Sequence, residues 1–265
     1  MIELYGQQFN PDNPKSTFFH GDCLEGMKAF PDGYFDLILT DPPYNTTQND
    51  WDVKIDLEEM FAQFNRIVKE NGAILVFSQM PFTAEVIMAN KKFFRYEWIW
   101  DKFMATGFLN ANRMPMKAHE NIVVFYKKMP VYNPQFSWGG RMCKNHHAPS
   151  KNYGKYHQIT TVSDGRRCPR DIIRIDNNDK TAIINATQKP VKLMEYFILT
   201  YTNPKEIILD AFAGSGTTLI ASRNTDRICI GFEKDDDMFK KAKERIDAES
   251  AQMNIYDLLN EKNGE

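Results

Sequence analysis

The sequence predicts an α/β protein built on a mostly parallel sheet, and two observations carry that prediction. Six short apolar runs rich in β-branched and aromatic residues, Thr17 to His20, Phe35 to Thr40, Ala73 to Ser78, Ile122 to Tyr126, Glu206 to Asp210 and Arg227 to Phe232, alternate with helical patterns. Such near-continuous apolarity marks strands buried on both faces, the condition of a parallel sheet covered by helices. In addition, 265 residues suffice for one large α/β domain with an insertion, whose core needs no disulfide or metal to hold it.

The helices follow from apolar spacing and from their stops. Asp56 to Lys69 carries Leu57, Met60, Phe61, Phe64, Ile67 and Val68 three and four residues apart, and Asn71-Gly72 is the expected stop. Gln188-Lys189-Pro190 opens another helix, with Leu193, Met194, Phe197 and Ile198 as its stripe and Asn203-Pro204 closing it. Asp235 to about Ser250 has the composition of a charged surface helix. Between Met129 and Ala186 this rhythm lapses, and only Asp171 to Ile175 resembles a strand. So long an irregular stretch implies a functional insertion. The expected division is 1–128, an insertion over 129–186, and 187–265.

Charge gives that insertion a character. The chain carries a formal net charge of -2, yet Arg141 to Arg174 holds eight basic residues (Arg141, Lys144, Lys151, Lys155, Arg166, Arg167, Arg170 and Arg174) against two acidic ones. This asymmetry is what a local polyanion-binding surface requires. The four cysteines, Cys23, Cys143, Cys168 and Cys229, lack the spacing of a disulfide framework or a zinc site, so no metal is expected and a reducing cytoplasm suits them. The first residues are polar rather than basic then apolar, and no apolar run approaches the roughly 18 residues of a membrane span.

Two segments carry chemistry. Ile207 to Asp210 runs through Ala211-Phe212-Ala213 into Gly214-Ser215-Gly216-Thr217-Thr218, a buried strand entering a glycine turn that opens a helix. Glycines there let a ligand approach the backbone, and the free amides of the helix start favour an electronegative group. The next strand ends at Glu233, placed to accept hydrogen bonds from a ribose, so a nucleotide-like cofactor is expected. A phosphate-binding P-loop is excluded, because no Gly-Lys-Ser/Thr follows.

The second segment, Asp41-Pro42-Pro43-Tyr44, lies at the carboxyl end of the Phe35 to Thr40 strand, where open α/β sheets place their ligands. Two prolines stiffen the chain and donate no backbone hydrogen bond, which leaves a rigid corner rich in acceptors. The exocyclic amino group of a base is a poor nucleophile, since its lone pair is delocalised into the ring. Acceptors aimed at its two hydrogens, the Asp41 carboxylate and the Pro42 carbonyl, favour a localised lone pair. Tyr44 is expected to stack on the base, which must leave the duplex to reach the corner. Attack at cytosine carbon is excluded, because it needs a cysteine, commonly after proline, and none of the four follows one.

At these residues the chain resembles the amino-group-methylating DNA methyltransferases, the adenine-N6 and cytosine-N4 enzymes. The order is that of their permuted β class: the Asp-Pro-Pro-Tyr corner first, then the insertion, then the glycine loop. The resemblance implies S-adenosylmethionine as cofactor and a Rossmann-like sheet of seven strands, one antiparallel. Double-stranded DNA is the implied partner, the insertion its target-recognition region, and a homodimer and a cognate restriction endonuclease fit the family. His20-Gly21-Asp22-Cys23 resembles the segment that contacts the cofactor's adenine, and Thr187-Gln188-Lys189-Pro190 the one that borders its methionine end. Trp98 to Lys102 and His119-Glu120-Asn121 also fit family motifs and are assigned to scaffolding.

The expected catalytic residues are thus Asp41, Pro42 and Tyr44. The expected cofactor residues are Asp22, Cys23, Asp41, Lys189, Phe212, Gly214, Ser215, Gly216, Thr217, Thr218 and Glu233. Arg141, Lys144, Lys151, Lys155, Arg166, Arg167 and Arg170 are expected at DNA, with Asn145, His146, His147, Asn152 and Gln158 as candidate readers of base edges. Asp at position 41 leans to adenine within the family. Cytosine-N4 methylation, a non-catalytic DNA-binding subunit and a nicotinamide dehydrogenase are the competing readings, and the last leaves Asp41 to Tyr44 unexplained.

Overall fold

A computed structural model describes residues 1–44, 55–139, 143–147, 159–176, 183–185 and 187–262. The chain separates into two compact units, one formed by Met1–Asn133 with Asp171–Glu265 and the other by Pro134–Arg170. The second unit is narrower than the expected 129–186 insertion.

The larger unit begins with a small antiparallel hairpin, β1 (Ile2–Leu4) and β2 (Gln7–Phe9), followed by β3 (Thr17–His20), α1 (Cys23–Met27) and β4 (Phe35–Thr40). Then come α2 (Leu57–Ile67), β5 (Val68–Ser78), α3 (Phe82–Ala89), β6 (Phe94–Thr106) and β7 (Lys117–Phe125). The smaller unit holds two antiparallel pairs, β8 (Ser137–Trp138) with β11 (Arg166–Arg167) and β9 (Cys143–His147) with β10 (Ile159–Ser163). The chain returns to the larger unit through β12 (Ile172–Arg174), α4 (Val191–Tyr201), β13 (Ile207–Asp210), α5 (Thr217–Asn224), β14 (Ile228–Glu233) and α6 (Asp236–Lys262).

Eight strands form one sheet in the order β12-β6-β7-β5-β4-β13-β14-β3. β7 is antiparallel to both neighbours, and every other pairing is parallel. The eighth strand, beyond the seven expected, is β12, which extends the edge by pairing Ile172–Arg174 with Ile99–Asp101.

Both faces of the sheet are buried, and the pleat divides the core between them. Ile74, Val76, Val123 and Phe125 join one cluster with Phe61 and Phe64 of α2; Ala73, Leu75, Phe77, Ile122 and Val124 join the other with Phe197 and Ile198 of α4 and Ile220 of α5. This alternation, apolar on both sides, is what the unbroken apolar runs encode.

Two helix boundaries differ from expectation. Asp56 caps α2, its Oδ1 accepting the Glu58 and Glu59 N–H groups at 3.0 Å, but the helix ends at Ile67 and the chain is extended by Val68. Asn71-Gly72 therefore lies inside β5 rather than stopping a helix. A Cβ at position 72 would sit 2.8 Å from the Asp36 carbonyl oxygen, so the glycine is required by close approach to β4, beside the register shift between Phe35 and Leu37. Strand pairing overrides the helical spacing at Val68. At the other end of the chain α6 runs past Ser250 to Lys262.

Candidate active site

The carboxyl ends of β4 and β13 open onto a cavity of about 940 Å³. Every residue assigned from sequence to catalysis or to the cofactor lines it except Gly216. Gly216 acts one layer back: it caps α5 with φ +75°, and a Cβ there would meet Ile246 Cδ1 of α6 at 2.6 Å. Glycine is needed for the turn and for helix packing together. Gly214, at φ +49°, makes the other left-handed step, and the Ser215 carbonyl is fixed from behind by buried Arg245, whose guanidinium donates to it at 2.9 Å and to Thr217 Oγ1 at 3.0 Å.

The Asp41 corner is organised by charge. Tyr44 donates its hydroxyl to Asp41 Oδ1 at 2.6 Å, and the Lys189 ammonium donates to Asp41 Oδ2. Lys189 precedes α4 directly, with Pro190 as the helix cap, and is only 8 % exposed. It also lies 3.3 Å from Glu120 Oε2, while Lys102 pairs with Glu120 Oε1. The result is an alternating chain, Lys102, Glu120, Lys189, Asp41, that ends on the carboxylate facing the cavity. Buried charges persist only when paired in this way.

The environment splits the two carboxyls. Burial raises Asp41 above the ordinary carboxylate range, opposed by the Lys189 charge and reinforced by Glu120. Burial also disfavours ionised Glu120, but the Lys189 and Lys102 ammoniums outweigh it and hold Glu120 below that range. Lys189 is raised, since its two carboxylate partners overcome the cost of burial. The Tyr44 ring stacks on Phe82, with centroids 5.1 Å apart.

Behind the corner, Asp210 locks the adjoining strand ends. Its Oδ1 accepts the Thr40 hydroxyl at 2.8 Å and the Phe212 N–H at 3.2 Å, and its Oδ2 accepts the Thr218 hydroxyl. Burial pushes its carboxyl up to about 6, against the pull of those donors.

At the far wall, Glu233 Oε1 accepts the Asp235 N–H at 2.7 Å, and burial raises this carboxyl too. Asp22 caps α1, accepting the Leu24 N–H at 2.9 Å on Oδ1 and the Lys234 ammonium at 3.0 Å on Oδ2. Burial pushes the Cys23 thiol far up, which removes it as a nucleophile. Sequence reasoning left Glu120 and Lys102 to scaffolding; the structure puts Glu120 in the cavity wall. Their motifs were visible, but their convergence on Lys189 was not.

Of the residues expected at DNA, Arg141, Lys151 and Lys155 lie outside the described residues, as do Asn152 and Gln158. Lys144, Asn145, His146 and His147 fall on β9. Arg166, Arg167 and Arg170 are exposed on the smaller unit, where Arg166 pairs with Asp164 at 2.6 Å and lies over the Phe136 ring. Arg174 belongs instead to the main sheet.

A Rossmann-like sheet with a glycine turn, a carboxylate closing the next strand and an acceptor-rich Asp-Pro-Pro-Tyr corner in one cavity defines an S-adenosylmethionine-dependent methyltransferase of amino groups. Residues 35–244 match the family model for N6/N4 DNA methylases, and the chain belongs to that family. It is 29 % identical to the DNA adenine methyltransferase YhdJ of Escherichia coli K12, over 90 % of this chain and 85 % of that one. It is 25 % identical to the Type II methyltransferase M.HpaI of Haemophilus parainfluenzae, over 91 % of this chain and 76 % of the relative. The M1.HpyAVI structure, solved with S-adenosylmethionine, superposes with a TM-score of 0.60 at 25 % identity, covering 87 % of this chain and 98 % of that one. The cytosine-N4-specific PvuII methyltransferase shares the fold, with a TM-score of 0.64 at 18 % identity over 88 % of this chain and 86 % of that one. Among the described residues no helix is long and apolar enough to cross a membrane.

Proposed function

We propose that this DNA methyltransferase methylates the N6 amino group of an adenine extruded from double-stranded DNA, with Asp41, Pro42 and Tyr44 as its catalytic residues. The observation that carries this reading is the doubly held Asp41 carboxylate, fixed by Tyr44 and Lys189 in the wall of the cavity that also holds the glycine turn. Aspartate at this position and the adenine activity in the name of the Escherichia coli relative both favour adenine over cytosine.

The residues present fit the cofactor. Gly214 to Thr218 would border it at the start of α5, Glu233 would take its ribose hydroxyls, and Asp22 and Cys23 would lie at its adenine, with Phe212 against that ring. Lys189 and Asp41 would sit at its methionine end. S-adenosylmethionine, when bound, supplies an electrophilic methyl group. Asp41 and the Pro42 carbonyl accept the two amino hydrogens and aim the nitrogen lone pair. Tyr44, backed by Phe82, offers its ring to the base. Burial keeps Asp41 more basic than an ordinary carboxylate, which suits it to take the proton that the methylated nitrogen sheds.

The smaller unit is assigned to target recognition, its Arg166, Arg167 and Arg170 to phosphates. A homodimer, a cognate restriction endonuclease and a cytoplasmic location remain expectations drawn from the family. Long-read mapping of modified bases in unmethylated genomic DNA treated with the protein tests the reading. N6-methyladenine confined to one short sequence is the expected outcome, and N4-methylcytosine alone would reverse the choice of base.

A further inference from the structure

The β6–β7 hairpin ends in a tip, residues 107–116, to which none of the roles above belongs. β7 is antiparallel to β5 and to β6, so β6 runs parallel to β4 and β5 and its carboxyl end emerges on the same sheet edge as Asp41. The base of the hairpin is tied to that edge. Lys117 donates to Gln79 Oε1, just past β5, at 3.1 Å. Lys102 on β6 and Glu120 on β7 belong to the ion chain that ends on Asp41.

The tip has a built backbone and an unburied surface. The Asn110 N–H donates to the Gly107 carbonyl at 3.0 Å, Ala111 to Phe108 at 3.0 Å and Arg113 to Asn110 at 2.8 Å, which sets a turn of 3-10 helix over Phe108–Asn110. Yet Phe108 is 78 % exposed, Leu109 96 % and Met114 55 %. Apolar side chains held outward on a fixed turn mark an interaction site. Charge selects the partner. Between Asp101 and Glu120 the chain has no carboxylate, while Arg113 and Lys117 are exposed and the Arg174 guanidinium lies 4.3 Å over the Phe103 ring. A cationic tip with apolar ends suits a polyanion whose interior is apolar, whereas a two-fold contact centred on the tip would set Arg113 and Lys117 against their own copies.

We propose that this tip is a wedge that enters the DNA duplex beside the target base, Phe108 and Leu109 occupying the space the extruded base leaves. The proposal rests on the reading of the site as one that acts on an extruded base. It assigns the hairpin a task distinct from that of the smaller unit: the wedge holds the gap open, irrespective of which sequence flanks it.

The test compares the native protein with the Phe108→Ala/Leu109→Ala variant on two duplexes carrying the mapped site, one with the target base paired and one with it opposite an abasic position. Loss of one stacking contact corresponds to about 10-fold in rate. The variant should therefore lose about 10-fold or more in kcat/KM on the paired duplex. It should keep near-native rates on the abasic-opposed one, where no pair has to be broken. Phe108→Trp, which keeps a stacking ring, should restore most of the loss, and S-adenosylmethionine affinity by calorimetry should not change. Equal losses on both duplexes, or none on either, would overturn the wedge; equal losses with conversion of a dimer to monomers by light scattering would make the tip a self-association surface instead. A native protein that methylates no amino group on either duplex would remove the underlying reading and the wedge with it.

Discussion

Asp41 and Asp210 end neighbouring parallel strands, β4 and β13, and both line the same cavity. They are held in opposite ways. Asp41 is gripped by an ammonium and a phenol, at the end of an alternating chain of buried charges. Among the described residues Asp210 meets only neutral donors: two threonine hydroxyls and one backbone N–H. Burial raises both carboxyls, but at Asp41 the full charge of Lys189 opposes that rise, whereas the neutral donors on Asp210 fasten one strand to the next. On the proposed function one aspartate serves the reaction and the other the architecture, and the contrast makes each breakable by itself.

The largest expected effect is on Asp41. Asp41→Ala removes the acceptor proposed for the amino group and should lower kcat by about 10²–10³-fold or more, the scale of losing one preorganised electrostatic contact. S-adenosylmethionine affinity, measured by calorimetry, should change by only a few-fold, since the glycine turn and Glu233 are untouched.

Asp210 should act through stability. Its folded value of about 6 lies above the ~3.9 of an unfolded aspartate, so the folded state binds the proton more tightly between those values. Its contribution favours folding below about pH 4 and is lost as pH rises through about 6. Relative to Asp210→Asn, which cannot titrate, the native protein should lose on the order of 2–3 kcal/mol between pH 4 and pH 7 in urea unfolding, with kcat of the folded variant little altered.

Glu120 sharpens the contrast, because it reaches the reaction only through Lys189. Glu120→Gln removes a negative charge that raises Asp41, so the acidic limb of the kcat profile should move to lower pH. The maximal rate should fall about 10-fold as Lys189 loses its second anchor, with KM for DNA nearly constant. An unmoved pH limb would reduce Glu120 to scaffolding. The smallest effect belongs to Glu233→Gln, which keeps the acceptor oxygen but not the charge. Its cost should appear as about 5- to 10-fold weaker cofactor binding, near the worth of a charge-assisted hydrogen bond, with kcat at saturation preserved.

What was legible in the sequence followed burial. β3 and β4 stand at the residues expected, and β13 and β14 within one of them, because strands covered on both faces must be apolar throughout. β6 was not read as a strand, although Phe94, Tyr96, Trp98 and Trp100 alternate with Arg95, Glu97, Ile99 and Asp101, because it lacks the unbroken apolar run that marks the other strands and only Trp98 and Trp100 are buried. β12, by contrast, lies within the strand-like stretch expected over Asp171 to Ile175, although its pairing with Ile99 to Asp101 was not legible. The same limit applies within the site. Asp41, Tyr44, the glycine turn and Glu233 are contiguous motifs whose chemistry is carried by residue type. Lys102, Glu120 and Lys189 stand on three separate elements, and only the sheet order brings β6 and β7 beside the loop before α4. Asp22 was expected at the cofactor; its Oδ1 is committed to capping α1, while the residue still lines the cavity.

On the proposed function, the Asp41 corner presents an adenine amino group for methylation. Nucleoside mass spectrometry of DNA treated with native protein and with Asp41→Ala tests it most directly. N6-methyladenine is expected from the native protein and almost none from the variant at saturating S-adenosylmethionine. N4-methylcytosine as the sole product, or undiminished methylation by Asp41→Ala, would contradict it.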